Sequence, residues 1–560
     1  MSSSPKNEPT AKREKPPLVL LNSGKPLFEG VNWDFTTLQR VHEAVEEIAL
    51  GELGLNIYPN QIEVITSEQM LDAYASVGLP LMYRHWSFGK RFAHHETLYR
   101  KGLQGLAYEI VINSSPCISY IMEENSMTMQ TLVIAHAAFG HNHFFKNNYL
   151  FRQWTDAEGI LDYLAFARDY TAKCEERYGV EAVERVIDAA HALRDHGVNR
   201  YHRISPNLSD ERRREEERRA HDEANYNDLW RTVPTSPNAP DPSELELAQA
   251  ESRRKLGLPE ENLLYFIEKR APKLEGWQRE LVRIVRNISQ YFYPQKQTQL
   301  MNEGCATFVH YEIMNRLHEK GLVTEGAMLE FLHTHSSVVF QPAFDDPRYS
   351  GLNPYALGFA MMQDIKRICV APTEEDRTWF PDIAGNNDPY ATLRHAWASF
   401  RDESFVLQYL SPHLIRKFRL FEVTDDSAEA AMRVDAIHDE LGYRRVRSAL
   451  SRQYDLARRE PDIQVIDVDL AGDRCLVLSH AVYNGVLLEE KTCQSVLRHI
   501  AGLWGYNVRL AETDAVSDEV LKTHEVEPLP DCRSTTSLPE IADLRGPRGR
   551  WPGGHRRDFR

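Results

Sequence analysis

The segment from Ala107 to Tyr149 places two short β-rich runs, Tyr108–Asn113 and Cys117–Met122, directly ahead of an apolar helical run that ends in histidines. The turn between them reads Glu123-Glu124-Asn125-Ser126, the helical run extends from Met127 to Phe139, and His136, His141 and His143 are set about Gly140. Histidine is the commonest transition-metal ligand, and ligands carried by one helix must share a face. At about 100° per residue, His136 and His143 lie about 20° apart, whereas His136 and His141 lie about 140° apart. A regular helix therefore pairs only the outer two. One inserted residue, a π-bulge centred on Gly140, makes His136 and His141 behave as an i,i+4 pair. The other reading ends the helix at Gly140, leaving His141 and His143 in a loop and His136 as a hydrogen-bonded core residue.

A chain of 560 residues is longer than one hydrophobic core usually supports, and 42% hydrophobic residues is the content of a folded protein. The expected class is α+β: a predominantly helical two-lobed core with a few short strands, plus a small C-terminal α/β domain. Residues 1–20 read as a disordered N-terminal segment and 21–202 as the helical lobe with the histidine cluster. Residues 203–250, charged and then proline-rich, read as a linker between the lobes. Residues 251–425 form the second lobe, 428–512 the α/β domain, and 515–560 a disordered basic tail. No apolar run is long enough to span a membrane and the N-terminus lacks a signal core, so a soluble, cytoplasmic protein is expected. A net charge of −16 argues against nucleic acid as a partner. Seven scattered cysteines with no CxxC pair argue against a disulfide scaffold and a cysteine-bound zinc.

Residues 81–102 interleave aromatics with bases, which makes Arg84, Lys90 and Arg91 candidate anion contacts; the alternative is a buried aromatic wedge with paired bases. In the second lobe an amphipathic helix, Trp277–Tyr293, is expected to stop at Pro294. The next helix, Met301–Leu317, carries Glu303 and His310 seven residues apart and so on one face. Glu330, His333 and His335 form a further acid-histidine set with a single Glu-x-x-His spacing.

The stretches AYEIVINSSPCISYIMEEN, IAHAAFGHNHFFKNN, ENLLYFIEK, WQRELVRIVRNISQYFYPQKQTQLMNEGCATFVHYEI and LWGYNV resemble the stage V sporulation protein R (SpoVR) family over about residues 30–515. That resemblance implies a link to spore cortex formation or to stationary-phase and starvation responses. It also implies a PrkA-type serine kinase and a von Willebrand-A-like protein as partners, and it supplies no settled activity. A second similarity concerns Asn302-Glu303-Gly304-x-Ala306-x-Phe308, which is similar to the NEGxAxY/F segment that carries the third zinc ligand of gluzincin metallopeptidases. Here His136 to His141 has one residue more than their HExxH and no glutamate beside the first histidine. The similarity implies a divalent metal, zinc, held by His136, His141 and Glu303, with His310 or His143 completing or orienting the set. Glu124 or Glu123 would then be the general base of a hydrolase acting on a peptide or peptidoglycan-like amide. The competing expectation is a non-enzymatic scaffold for the kinase, in which the same groups form a buried polar network.

Overall fold

The structure is a computed structural model that describes residues 25–76, 81–100, 109–200, 253, 256–424, 430–431, 433–469, 472–483 and 485–528. The expected disordered segment at 1–20 and the linker at 203–250 lie outside the described residues. What is described is α+β and mostly helical.

A small sheet prepares the histidine helix. Its strands β1 (Asn60–Ile65), β2 (Glu109–Ile112) and β3 (Cys117–Met122) are ordered β1-β3-β2, with β1 parallel and β2 antiparallel to β3. The central strand β3 is buried along nearly its whole length, as a run that is apolar but for Ser119 requires. After β3, the Ser126 side chain accepts from the Met129 amide and so caps the helix Met127–Val133. The helix does not end at Gly140. It widens into a π-helix, Ile134–His141, and continues as Asn142–Asn147. Every residue from Met127 to His141 is buried, so this is a central helix with no solvent face.

The helix Gln299–Glu319 lies between that π-helix and the helix Pro354–Val370. Backbone approaches backbone on both sides. A Cβ at Gly140 would fall 2.5 Å from the Ala306 Cα, and one at Gly304 would fall 2.7 Å from the Gly358 Cα. The start of Gln299–Glu319 is capped from far along the chain: Asp402 accepts from the amides of Leu300 and Met301 at 2.8 and 2.9 Å. The preceding helix runs Gly276–Gln297, through Pro294 rather than stopping there. In the last turn a proline forfeits a single amide bond, and the Thr298 hydroxyl donates to the Pro294 carbonyl at 2.8 Å.

Two large cores result, and neither belongs to one side of the 203–250 stretch. One joins Leu27, Val133 and Phe139 to Phe308, Met361, Phe405 and Leu450. The other joins Tyr83, Leu164 and Val186 to Leu264, Val285, Val465 and Leu510. The expected lobes are interleaved.

A short hairpin, β4 (Glu422–Thr424) and β5 (Arg433–Ala436), leads to the C-terminal unit. There β6 (Asp462–Val468), β7 (Leu476–Val482), β8 (Val508–Asp514) and β9 (Val520–Val526) lie in chain order, with the helix Glu490–Trp504 crossing between the parallel pair β7 and β8. The unit therefore extends past 512, and β9 corrects the start assigned to the tail. Only His524 and Val526 of β9 are buried, so its polar exposed residues mask the strand pattern. Among the described residues no helix is long and apolar enough to cross a membrane.

Candidate metal centre

Three elements bring side chains to one point. In the π-helix, i→i+5 bonding stacks residues five apart. The His136 and His141 rings, which a regular helix would turn away from one another, thus meet edge to face with centroids 4.6 Å apart. The helix Gln299–Glu319 supplies Glu303, whose Oε2 lies 3.8 Å from His136 Nε2 and 3.6 Å from His141 Nε2. The edge strand β2 supplies Glu109, with Oε1 3.6 Å from His136 Nε2. Glu109, His136 and His141 offer ligand atoms within 4.8 Å of one another and could hold a metal ion.

The spacings are informative. Ligands at about 2.0–2.2 Å around a tetrahedral ion sit roughly 3.3–3.6 Å from each other, close to what is found. These separations are too long for hydrogen bonds, and Glu303 Oε2 is buried with no hydrogen-bond partner. A carboxylate oxygen left so beside two imidazole nitrogens is unsatisfied until a cation or proton joins them.

The far sides of both rings are fixed. The Asn302 side-chain oxygen lies 2.9 Å from His141 Nδ1; a carbonyl only accepts, so Nδ1 carries the proton and Nε2 turns a lone pair toward Glu303. His136 Nδ1 lies 2.9 Å from His310 Nδ1, and His310 Nε2 lies 2.9 Å from His335 Nδ1, giving a buried file of imidazoles behind the centre. Burial, with the neighbouring imidazoles adding to it, holds His136 and His310 well below the usual histidine range, and burial pushes His335 down to about 4. These are neutral rings, the form that binds metal. Burial, with the charge of Glu303 adding to it, raises Glu109 to about 8.

The candidates named from sequence fall in different places. His136, His141 and Glu303 converge, and His310 stands behind His136. His143 faces elsewhere: its Nδ1 accepts from the Asn56 amide at 2.9 Å, its ring meets Trp397 edge-on at 5.5 Å, and burial pushes it down to about 4. Glu123 and Glu124 are exposed in the turn before Ser126, and Glu124 accepts from the Ser67 amide at 3.3 Å. From Met127 to His136 the helix alone spans roughly 13 Å, so neither glutamate stands beside the histidines. The carboxylate that does is Glu109, and its signal was an acid in the otherwise apolar strand EIVI. Asn302 was visible only as the first letter of the NEG segment. Glu330 accepts from the Ser126 hydroxyl at 2.5 Å, and His333 is exposed.

Asn302 and Glu303 also line a cavity of about 810 Å³, whose other walls include Tyr83, His85, Arg91 and His191. Of the three candidate anion contacts only Arg91 lines it; Arg84 and Lys90 are exposed outside it.

A family model described as SpoVR like protein matches residues 32–459, and one described as SpoVR-like C-terminal domain matches residues 461–515. A protein of Escherichia coli (strain K12) titled uncharacterized protein YcgB is 56% identical over 487 residues, covering 87% of this chain and 94% of its own. No solved structure matches. With nearly its whole length matched, the chain belongs to the SpoVR family.

Proposed function

We propose that the chain is a metal-dependent hydrolase of gluzincin-like design, with His136, His141 and Glu303 holding a divalent ion, zinc, and Glu109 serving as general base. The observation that carries this is the buried, unpartnered Glu303 oxygen set 3.6–3.8 Å from two imidazole nitrogens. When bound in a site with three protein ligands, such an ion lowers the pKa of a coordinated water toward about 7 and polarises a carbonyl. The chain's own groups do the rest. Asn302 and His310 hold the two imidazoles with Nε2 facing Glu303. Glu109, whose carboxylate stands 3.6 Å from His136 Nε2, takes up and returns a proton, the role for which HExxH enzymes use the glutamate that is missing beside His136. The cavity beside Glu303 is large enough for a short peptide or a comparable amide.

Elemental analysis of the purified protein and three variants tests this. Near-stoichiometric metal is expected in the wild type and in Glu109→Gln, and little in His141→Ala or Glu303→Gln. Amide hydrolysis should disappear in Glu109→Gln while the metal stays. Folded wild type that takes up no divalent ion would sink the proposal. Metal lost from Glu109→Gln as well would make Glu109 a fourth ligand and the site a closed structural one.

A further inference from the structure

The cavity wall facing the centre has a chemistry of its own. His85 and His191 stand with ring centroids 4.7 Å apart, nearly perpendicular. Each is tied down: His85 Nδ1 lies 2.7 Å from the Ser87 hydroxyl, and His191 Nε2 lies 2.6 Å from the Tyr83 hydroxyl. Asp188 is engaged as well, 3.2 Å from His85 Nε2 and 3.0 Å from the Trp86 indole nitrogen. Lower down, Lys296 is paired with both Asp195 and Glu460. Asp188, Asp195 and Glu460 thus each have a partner, while of the cations in the lining Arg91 has, among the described residues, no carboxylate paired with it. Half-buried Arg91 has its guanidinium over the Phe88 ring at 5.9 Å, and among the described residues no carboxylate lies within ion-pair distance of it. Arg194, which lies 3.9 Å from Asp195 at its nearest nitrogen, lines the same wall. Burial disfavours protonation of His191, and both guanidiniums sit close enough to add to it.

We infer that this wall binds the oxyanion of a small ligand, a carboxylate or a phosphate, with Arg91 as the principal contact, Arg194 the second, and the site sharing its cavity with Glu303. A guanidinium that is half desolvated, set near an aromatic ring and without a carboxylate partner is held ready for a planar or tetrahedral oxyanion. The surrounding apolar side chains of Met82, Phe88, Val285 and Ile288 exclude water and strengthen such a contact. This deepens the hydrolase reading, on which it rests only for the fate of the ligand; binding itself stands apart from any ion.

The test is calorimetric titration of the full-length protein, chelator-treated and untreated, with inorganic phosphate and separately with N-acetylglycine as a carboxylate probe. At least one probe should bind saturably to both preparations. Arg91→Gln should weaken that binding by about 10–100-fold, Arg91→Lys by less, and exposed Lys90→Gln not at all. Phosphate binding alone would identify a phosphorylated ligand, carboxylate binding alone a peptide-like acid, and either supports the site. Saturable binding of neither probe, or an affinity that Arg91→Gln leaves unchanged, overturns it. Metal analysis of the same samples keeps the two proposals separate, since Arg91-dependent binding to metal-free protein stands even if the chain holds no ion.

Discussion

Asn302 does for His141 what no residue inside the histidine segment can do: it fixes which ring nitrogen keeps its proton. Replacing it with leucine should lower metal affinity about 10–100-fold, as competition against a chromophoric chelator would measure, and should cost the chelator-treated protein about 1–3 kcal/mol by leaving the buried His141 N–H without a partner. Glu109 predicts a pH dependence. Its folded value, about 8, lies above the ordinary carboxylate range, so the folded state binds the proton more tightly than the unfolded chain does. The Glu109 contribution to the stability of the metal-free protein should therefore fall as pH rises, by about 1 kcal/mol between pH 7 and 8. Glu109→Gln should flatten that slope in urea titrations at the two pH values. The lowered histidines work in the opposite direction and their effect reaches above about 6.5, so the comparison of wild type with Glu109→Gln at each pH is what isolates the Glu109 share. At this scale the sequence was half readable. Glu303 could be picked out because it sits in a recognisable segment on a periodic helix. Glu109 could not, because a four-residue strand gives no period that separates a site residue from an ordinary edge acid. Glu123 and Glu124 were attractive through closeness along the chain, yet the helix between carries the histidines away from them.

At the level of elements, the decisive object is the π-helix Ile134–His141. Sequence spacing posed the question correctly, because two histidines five apart serve one ion only if the helix widens. The answer needed the partner helix, since Gly140 is where Ala306 presses in. Gly140→Ala should destabilise the protein by about 1–3 kcal/mol through overpacking against main chain that cannot yield. It should also release the metal, and a chemical-denaturation curve read together with metal content would show both. The cap on Gln299–Glu319 makes a companion prediction. Asp402, buried and raised to about 7, satisfies two amides at the helix start, four residues or fewer before Glu303. Asp402→Ala should cost about 2–4 kcal/mol, read as a shift in the unfolding midpoint at unchanged slope. Nothing in the sequence near Glu303 announces this cap, because its donor and acceptor are about a hundred residues apart.

For the whole molecule, the expected class holds, mostly helical with a small C-terminal sheet and helix, but the expected lobes do not match the two cores. Local charge and proline content mark where a chain is polar, not which halves exchange apolar surface, and both cores here draw on residues from either side of 203–250. Fragments 1–202 and 253–560 expressed apart should accordingly show no cooperative thermal transition, whereas co-expression should recover a soluble complex that unfolds as one. Two separately folded fragments in circular dichroism and size-exclusion runs would contradict the interleaved cores.

The interleaving also sets a timetable. A ribosome that has just made His141 must add about 160 more residues before Glu303 exists, roughly 8–30 s at about 5–20 residues per second. Through that interval the bare helix from Met127 to His141 has no cover and its two imidazoles have no acid opposite them. The nascent segment is therefore a natural client for chaperones at the exit tunnel, and any ion held by His136, His141 and Glu303 is loaded only once Glu303 has emerged.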